Sequence, residues 1–301
     1  YIRYWKFWTR FFKENHFDVL YYNTCDIVSI DMLRFAKAAR IPVRIIHAHS
    51  TGNQVKRGLF HHITEKVNRK NLWRYATHLF ACSKAAGNWM FGKQAFTLVK
   101  NGIDLKKYLF SDEARKRCRS KTNNAADFFV GYVGRLTQEK NPLFAVEIAR
   151  QLCLLDSSVH VVFIGDGELR SQVADAIENE HLTERVHLLG ARDDVNQWYS
   201  AFDCLMMPSL FEGLPFVLVE AQAAGLPCVV SAEVSLDANI TGLVEYVPLR
   251  ESVQEWAQII LHACQKPRHD VSQKLIEAGY SIEDTAKEVT AIIESAFEET
   301  R

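Results

Sequence analysis

The sequence predicts an α/β protein in which two parallel β-sheets, each covered by helices, are stacked with a cleft between them. Strand-like apolar runs alternate with helical patterns throughout the second half of the chain, which is typical of a parallel sheet covered on both faces. A similar alternation occupies the first half. The length of 301 residues fits two domains of ordinary size.

The first half is predicted to start with a helix over Tyr1–Asn15 and then to alternate strands with helices. Its predicted strands are Asp18–Tyr22, Val43–His47, His78–Cys82 and Phe96–Val99. Its further predicted helices are Ile27–Ala39, the basic segment Gly58–Trp73, and a short helix with Ser83 as its N-cap. The turn Lys100-Asn-Gly-Ile-Asp104 ends this half.

The second half is predicted to open with a charged helix over Asp112–Lys121 and a polar turn at Asn123-Asn124. The strands that follow, separated by helices, are predicted at Phe128–Val133, Val159–Ile164, Val186–Leu188, Cys204–Met207, Cys228–Val230 and Leu243–Val247. An amphipathic helix over Ser281–Phe297 comes last. Ligands of open parallel sheets bind beyond the carboxyl ends of the strands, so functional residues are expected directly after these strands.

The formal net charge of zero conceals a strong asymmetry along the chain. Residues 1–110 carry 19 Lys and Arg against 6 Asp and Glu, whereas residues 111–301 carry 17 against 30. A basic half indicates an anionic partner. The sequence has no signature of a nucleic-acid-binding module, so a phosphorylated substrate or an anionic membrane surface is favoured over nucleic acid.

The N-terminal helix mixes Trp, Tyr and Phe with Arg and Lys, which suits a helix lying in a membrane interface. We therefore expect the first domain to dock on anionic membrane. The alternative is a helix packed on a sheet, with its Lys and Arg side chains snorkelling at the edges.

Other features favour a cytosolic protein. No apolar run approaches the ~20 residues of a membrane span, and the aromatic, basic N-terminus does not fit a signal peptide. The seven cysteines are odd in number and scattered, without a C-x-x-C pattern. They are predicted to be reduced thiols, not a disulfide or zinc framework.

The segment 208–227 contains two carboxylates, Glu212 and Glu220, on either side of a Gly-Leu-Pro turn. A helix is predicted from Val217 to Ala224, with an inward apolar face made of Phe216, Val219, Ala223 and Ala224. The turn would present free backbone N–H groups, which suit phosphate or sugar oxygens. Both carboxylates could then face the hydroxyls of one ligand. The alternative is a strand–loop–helix unit with two ordinary surface glutamates.

The strand predicted at Phe128–Val133 leads into Gly134 and Arg135, and Lys140 precedes the next helix. A guanidinium fork and an ammonium group together could hold a diphosphate. The later Gly165-Asp-Gly turn is weak support for a dinucleotide site, because Arg170 stands where that fingerprint has its third glycine. Turn chemistry alone explains these glycines, and a nicotinamide dehydrogenase would rest on them alone.

Taken together, these segments resemble the retaining glycosyltransferases of family 4, which have the GT-B fold of two Rossmann-like domains facing a cleft. The resemblance covers nearly the whole chain and is most specific in residues 128–231. Its motifs are Val133-Gly-Arg-Leu-Thr-Gln-Glu-Lys140, Gly165-Asp-Gly-Glu-Leu-Arg170, Val186-His-Leu-Leu-Gly190, Asn101-Gly-Ile-Asp104 and the E-x7-E pair Glu212/Glu220. The context His47-Ala-His-Ser-Thr51 is most similar to enzymes that build capsular or exopolysaccharide repeat units.

The resemblance implies a role for each matching residue. Arg135 and Lys140 would hold the donor diphosphate and stabilise the departing nucleotide. Glu220 would bind the ribose, and Glu212 with the turn after it would bind the transferred sugar. The remaining implied donor contacts are Gly134 at the phosphates, Arg192 at the base, Gly213, Leu214 and Phe216 in the turn, and either His47 or His49 at the sugar. The alternative for each histidine is a hydrogen bond within its own loop.

The resemblance also implies the domain limits: 1–104 for an acceptor-side domain, 105–280 for the nucleotide-sugar domain, and 281–301 for a helix that crosses back to the first domain. The family's first domain normally begins with a strand and a Gly-rich loop, which this sequence lacks. The first domain is therefore expected to be incomplete, which puts the activity of this polypeptide in question.

The expected function is transfer of a sugar, with retention, from a nucleotide diphosphate sugar (a UDP-sugar is favoured) to a hydroxyl group in capsule or exopolysaccharide synthesis. The acceptor is left open, although a lipid-linked oligosaccharide would suit the basic half. The expected location is the cytoplasm, with peripheral contact at the inner face of the plasma membrane as a further option. The chain has no D-x-D pair, which argues against the metal-dependent GT-A fold. With Arg135 and Lys140 at the diphosphate, no metal is expected, and no cofactor is expected besides the donor. The alternatives are a nucleotide-sugar epimerase of similar fold and a non-catalytic nucleotide-sugar binder.

Overall fold

The computed structural model of the chain describes residues 2–50, 58–122 and 128–298, without the side chain of Leu59. The chain forms two compact units: unit 1 comprises Tyr1–Gly102 with Ile282–Arg301, and unit 2 comprises Ile103–Ser281. The turn predicted at Asn123-Asn124 lies outside the described residues, as does Thr51 of the histidine motif.

The strands in chain order are β1 Val19–Thr24, β2 Val43–Ala48, β3 His78–Ala81, β4 Thr97–Leu98, β5 Phe128–Val133, β6 Val159–Ile164, β7 Val186–Leu188, β8 Cys204–Met207, β9 Cys228–Ser231 and β10 Val244–Val247. The helices are α1 Ile2–Glu14, α2 Asp31–Ala38, α3 Leu59–Asn71, α4 Lys84–Phe91, α5 Leu105–Tyr108, α6 Asp112–Ser120, α7 Pro142–Leu155, α8 Arg170–Asn179, α9 Val195–Ala201, α10 Phe216–Ala223, α11 Val253–Cys264, α12 Ser272–Glu277 and α13 Ile282–Glu298. Short 3-10 turns lie at Leu72–Arg74, Gln138–Lys140 and Leu236–Ala238.

Unit 1 is built on a parallel sheet of order β1-β2-β3-β4. Successive residues of β2 face opposite sides of this sheet. Ile46 and Ala48 lie in a core with residues of α2 and α4, whereas Val43 and Ile45 pack against α13. Helix α13 therefore covers one face of the sheet, and the helices that connect its strands cover the other.

Helix α1 packs on another helix. Trp5, Trp8 and Phe12 contact Phe35 and its neighbours in α2, and the ring centroids of Trp5 and Phe35 lie 4.6 Å apart. The outer side of α1 exposes apolar and basic side chains: Ile2, Phe7, Arg3, Lys6, Arg10 and Lys13. The inner aromatic residues of α1 are thus packed as the alternative expected, but on helix α2 and not on a sheet, and the outer side is open to solvent.

Unit 2 is built on a parallel sheet of order β10-β9-β8-β5-β6-β7. The chain enters at β5, moves outward to β7, and then returns to place β8 on the other side of β5. The direction of winding therefore reverses between β5 and β8, the position at which open α/β sheets bind ligands. One core joins the sheet to α7, α8 and α11, and a second joins its other face to α6, α9 and α10.

Most predicted elements are confirmed. Strands β5, β6, β7 and β8 have the predicted bounds, and the Ser83 hydroxyl caps α4 by accepting a hydrogen bond from the amide of Ala86 at 3.0 Å. The predicted start of α2 at Ile27 was wrong. The Asp26 carboxylate accepts the amide hydrogen of Val28 at 2.9 Å and holds a turn, so that the helix begins only at Asp31. Among the described helices, none combines the length and the apolar character needed to cross a bilayer.

Candidate functional site

The turns that follow β5, β6 and β7 are joined to one another by backbone hydrogen bonds at the carboxyl edge of the unit 2 sheet. The amide of Gly134 donates to the carbonyl of Ile164 at 3.0 Å, and the amide of Gly165 donates to that of Gly190 at 2.9 Å. These bonds extend the ladder of the sheet beyond its strands. The turns consequently form one continuous platform.

Two glycines of this platform, Gly165 and Gly134, differ in the space that a side chain would find there. Gly165 has a φ of +140°, and a Cβ atom there would overlap the carbonyl oxygen of Gly134. This geometry agrees with the interpretation that turn chemistry explains the Gly-x-Gly pattern. A Cβ atom on Gly134, in contrast, would meet nothing within 4 Å. The space above Gly134 is open to a ligand.

Lys140 and Glu212 meet across the switch point. The Lys140 ammonium forms an ion pair with Oε1 of Glu212, and their side chains are only 21% and 12% exposed. The Ser209 hydroxyl donates to the same oxygen at 3.3 Å. Tyr132 donates its hydroxyl to the carbonyl of Lys140 at 3.2 Å, and burial, assisted by Glu212, raises the pKa of this tyrosine. Glu212 is therefore not an ordinary surface glutamate.

The backbone around Glu212 is anchored on both sides. The carbonyl of Glu212 accepts the amide hydrogen of Ser235 at 3.0 Å, and the amide of Leu210 donates to the carbonyl of Glu139 at 2.8 Å. Among the hydrogen bonds of the described residues, none uses the backbone N–H of Gly213 or Leu214. A rigid loop thus presents two donors next to a carboxylate, as the sequence predicted for this turn.

Glu220 lies between two tyrosines. Tyr108 donates its hydroxyl to Oε1 at 3.0 Å, and Tyr199 donates to Oε2 at 2.7 Å. Burial and the nearby carboxylate raise the pKa of Tyr108 to about 12 and that of the fully buried Tyr199 well above its usual value, so both remain protonated donors. Sequence reasoning missed these partners, because Tyr108 and Tyr199 stand 112 and 21 residues from Glu220 and lie in no motif.

The two arginines occupy different environments. Arg135 is exposed and forms an ion pair with Glu139 at 3.0 Å. Arg192 makes two hydrogen bonds to Asp194, at 2.6 and 2.8 Å, and its guanidinium carbon lies 5.7 Å from the ring centroid of Trp198. The hydrogen bonds from Arg192 hold the pKa of Asp194 well below its usual range. Arg192 is thus fixed in orientation, whereas Arg135 lies in solvent.

Phe216 corrects one prediction. It was expected on the inward face of α10, but its side chain is 43% exposed. Pro215 is the N-cap, so Phe216 is the first residue of the helix. Deeper in the helix, Leu218, Val219 and Ala223 are buried as core residues.

His47 and His49 belong to unit 1 and differ in accessibility. His47 is 4% exposed, and its Nε2 donates to the carbonyl of Val99 at 3.0 Å. Its Nδ1 must then accept the Tyr21 hydroxyl, which lies at 2.9 Å. Burial, with a smaller effect of His49, lowers the pKa of His47 to about 4, so this ring is neutral at pH 7. His47 fits the alternative of a histidine bonded within its own unit.

His49 lies directly after β2 and is only half-buried. Its Nε2 contacts Oδ1 of Asn23 at 2.8 Å, and the centroids of the two histidine rings lie 4.1 Å apart. Burial lowers the pKa of His49 as well. Of the two histidines, His49 has the ring that a ligand can reach.

The described ranges contain no cluster of three or more His, Cys, Asp or Glu side chains arranged to hold a metal ion. The candidate ligand-binding groups of unit 2 are instead Lys140, the exposed Arg135, Arg192, the carboxylates of Glu212 and Glu220, and the backbone amides of the turn after Glu212. Such a set binds phosphates through its cations and hydroxyls through its carboxylates.

Comparison with known proteins agrees with this chemistry. Residues 114–282 match the family described as glycosyl transferases group 1. The chain is 32% identical to EpsF of Bacillus subtilis (strain 168), which bears the name of a glycosyltransferase, over 269 residues that cover 86% of this chain and 69% of EpsF. Over 142 residues, 45% of this chain and 36% of the relative, it is 35% identical to the UDP-Gal:alpha-D-GlcNAc-diphosphoundecaprenol alpha-1,3-galactosyltransferase of Escherichia coli.

Among solved structures, Anabaena Alr3699/HepE in complex with UDP superposes with a TM-score of 0.77. The superposition covers 95% of this chain and 80% of HepE at 22% sequence identity. At this identity the likeness concerns the fold alone. It confirms the GT-B fold class, with two units built on parallel sheets, that the sequence predicts.

Proposed function

The chain belongs to the glycosyl transferases of group 1, and on that premise we propose that it transfers a hexose from a UDP-sugar to a hydroxyl group with retention of the anomeric configuration. The observation that carries this proposal is the Lys140–Glu212 pair at the switch point, beside the open space above Gly134. The bound UDP in HepE and the UDP-Gal in the name of the Escherichia coli relative support the choice of donor.

The donor diphosphate binds above Gly134, where its oxygens approach the backbone without meeting a Cβ atom. Lys140 supplies a cation that is already held in place by Glu212, and Arg135 supplies a second from the solvent side. As the bond to the sugar breaks, negative charge grows on the departing UDP, and both cations stabilise it. These two side chains perform the role that a metal ion has in other transferases, so we propose that no metal is needed.

Glu220 binds the ribose hydroxyls. Each of its oxygens already accepts one tyrosine hydrogen and retains capacity for another. The tyrosines fix the carboxylate before the donor arrives, which reduces the ordering that binding requires. Arg192, held by Asp194 after β7, contacts the base.

Glu212 binds the transferred sugar. Once the diphosphate attracts Lys140, the oxygens of Glu212 can accept hydroxyl hydrogens of the hexose, while the amides of Gly213 and Leu214 donate to sugar oxygens. Phe216, exposed at the start of α10, lies beside this turn. Of the two histidines, we propose His49 as the sugar contact, because its ring is the accessible one.

The acceptor we propose is a lipid-linked oligosaccharide, used at the inner face of the plasma membrane in exopolysaccharide or capsule synthesis. The basic first half of the chain and the diphosphoundecaprenol in the name of the Escherichia coli relative support this choice.

The test is thermal unfolding of the protein with UDP, UDP-sugars and GDP-sugars, followed by measurement of UDP release with and without a lipid-linked acceptor. A donor at 100 times its Kd should add about 2.7 kcal/mol to the free energy of unfolding. UDP-sugars should stabilise the protein, and UDP release should require the acceptor. Sugar interconversion without acceptor would instead identify an epimerase. Stabilisation without any turnover would identify a binding protein, and no stabilisation by any nucleotide would refute the donor site.

A further inference from the structure

Helix α3 has its polar and apolar sides reversed relative to an ordinary surface helix. Its buried side contains Glu65 and Asn68, and Asn68 is only 3% exposed. The Asn68 amide donates to the carbonyls of Ile27 and Val28, at 2.8 and 3.0 Å. The buried side is thus fixed by polar contacts to the turn that precedes α2.

The solvent side of α3 includes an apolar stripe. Phe60 is 77% exposed, and Ile63 and Val67 are exposed as well. Their spacing of three and four residues places them on one stripe of the helix. A surface helix normally turns such a stripe toward the core, so a helix that turns it toward water indicates a surface for a partner.

Cations adjoin this stripe. Lys66 and Lys70 are exposed on the same helix. Just beyond it, Trp73 is exposed, and the guanidinium of Arg74 lies 5.3 Å from the Trp73 ring centroid. Apolar residues flanked by lysines, with tryptophan at the end, are typical of helices that lie in the headgroup region of a bilayer.

The same layer of helices contains α1. Helices α1 and α3 both pack on α2, through Phe12 and through Asn68 with Arg34 at 3.2 Å. The exposed side of α1 also combines apolar residues, such as Phe7, with basic residues, such as Lys6. The composition that the sequence singled out in α1 therefore occurs on two helices of one layer.

We propose that the outward face of α3, defined by Phe60, Ile63, Lys66, Val67 and Lys70, docks on an anionic lipid bilayer, with the exposed side of α1 beside it. Charge complementarity decides for this partner, because residues 1–110 carry 19 basic against 6 acidic residues. The inference rests on the membrane location given under the proposed function and assigns it a surface, and it uses no residue of the donor site.

The test is co-sedimentation of the protein with vesicles of phosphatidylcholine alone or mixed with equal parts of phosphatidylglycerol. The protein should bind the anionic vesicles, and added salt should release it. Lys66→Ala with Lys70→Ala should lower the partition coefficient by roughly fivefold for each lysine removed. Ile63→Ser with Val67→Ser should also weaken binding, since it removes buried apolar area.

Leu154→Ser and Lys116→Ala are the matched controls, since both residues are exposed on helices of unit 2, and they should bind like the wild type. If the serine variant fails to fold, as judged by circular dichroism, the lysine variant decides the outcome. Wild-type protein that ignores anionic vesicles at low salt would overturn the proposal. The α3 variants would also overturn it if they bound anionic vesicles as well as the wild type does. If they changed only the molar mass of the protein in solution, the α3 face would instead be covered by a second copy of the chain. Stabilisation by UDP, measured on the same samples, separates this outcome from a failure of the donor site.

Discussion

At the residue scale, the charged side chains of unit 2 that are proposed to bind the donor are already paired within the protein, so the ligand must replace or share their partners. Lys140 is the clearest case, because its charge is neutralised by Glu212 in a poorly solvated place. Removing one charge of such a pair leaves the other buried without a partner and lowers the free energy of unfolding strongly, whereas removing both charges lowers it less. This asymmetry separates the role of Lys140 in binding from its role in stability.

We expect Lys140→Met to weaken UDP binding by about 1.5–3 kcal/mol, the contribution of a charge-assisted contact. Arg135→Met should weaken it less, because Arg135 is exposed and its interactions are screened by water. Calorimetric titration with UDP measures both. Lys140→Met should also lower the stability against urea, and the double variant Lys140→Met with Glu212→Gln should recover stability but not affinity. Recovery of UDP binding in the double variant would contradict the proposed phosphate contact.

The tyrosines around Glu220 allow a second prediction. Tyr199→Phe and Tyr108→Phe each remove a hydrogen bond that positions this carboxylate, and we expect each to cost about 1 kcal/mol of UDP affinity. The loss should be smaller for 2′-deoxy-UDP, which lacks one hydroxyl for Glu220 to bind. Tyr246→Phe is the control, because its hydroxyl donates to the carbonyl of Ser235. An equal loss with both nucleotides would mean that the tyrosines act on stability and not on the ribose.

The sequence was sufficient to single out Glu212 and Glu220 as candidates, because their spacing around a turn is a local pattern. It could not identify Tyr108 and Tyr199, whose contact with Glu220 depends on tertiary packing. Nor could it distinguish His47 from His49. Both lie at the end of the same predicted strand. Only the hydrogen bonds to Tyr21 and Val99 show that both ring nitrogens of His47 already have partners.

At the element scale, the strands of unit 2 were predictable because they are buried on both faces and read as short apolar runs. The failures occur where an element ends or faces outward. Periodicity placed Phe216 in the core, although it is the first residue of α10 and its side chain is exposed. Periodicity also cannot reveal the reversal of α3, because a helix with an apolar stripe has the same pattern whichever way the stripe faces.

The platform of turns leads to a third prediction, with an internal control. Gly165→Ala should lower the free energy of unfolding by about 1–3 kcal/mol, because φ at this position is +140° and the new methyl group would overlap the carbonyl oxygen of Gly134. Gly134→Ala should leave stability nearly unchanged, since its methyl group would enter open space.

The same two variants should separate stability from binding. If the diphosphate lies above Gly134, Gly134→Ala should weaken UDP binding while the protein stays folded. Urea unfolding and UDP titration of both variants provide the comparison. Normal UDP affinity in Gly134→Ala would place the phosphates elsewhere.

At the scale of the whole molecule, the proposed chemistry is divided unequally between the units. Unit 2 is continuous in sequence, and its ends meet: Ile103 pairs with Ser281, and the Ile103 amide donates to the carbonyl of Tyr280 at 2.9 Å. Unit 1 is discontinuous, because α13 returns to cover the sheet formed by the first hundred residues. Unit 2 alone therefore has the features of an independently folding domain.

We expect the fragment 103–281 to fold and to bind UDP with about the affinity of the full chain, because it contains every residue proposed to contact the nucleotide. It should not transfer sugar, since His49 and the basic half of the chain belong to unit 1. Circular dichroism establishes folding, and calorimetric titration compares the two Kd values.

Lys140→Met in the fragment should weaken UDP binding as much as it does in the full chain. A folded fragment that fails to bind UDP would show that unit 1 supplies essential nucleotide contacts, and the assignment of the donor site to the unit 2 strand ends would then be wrong.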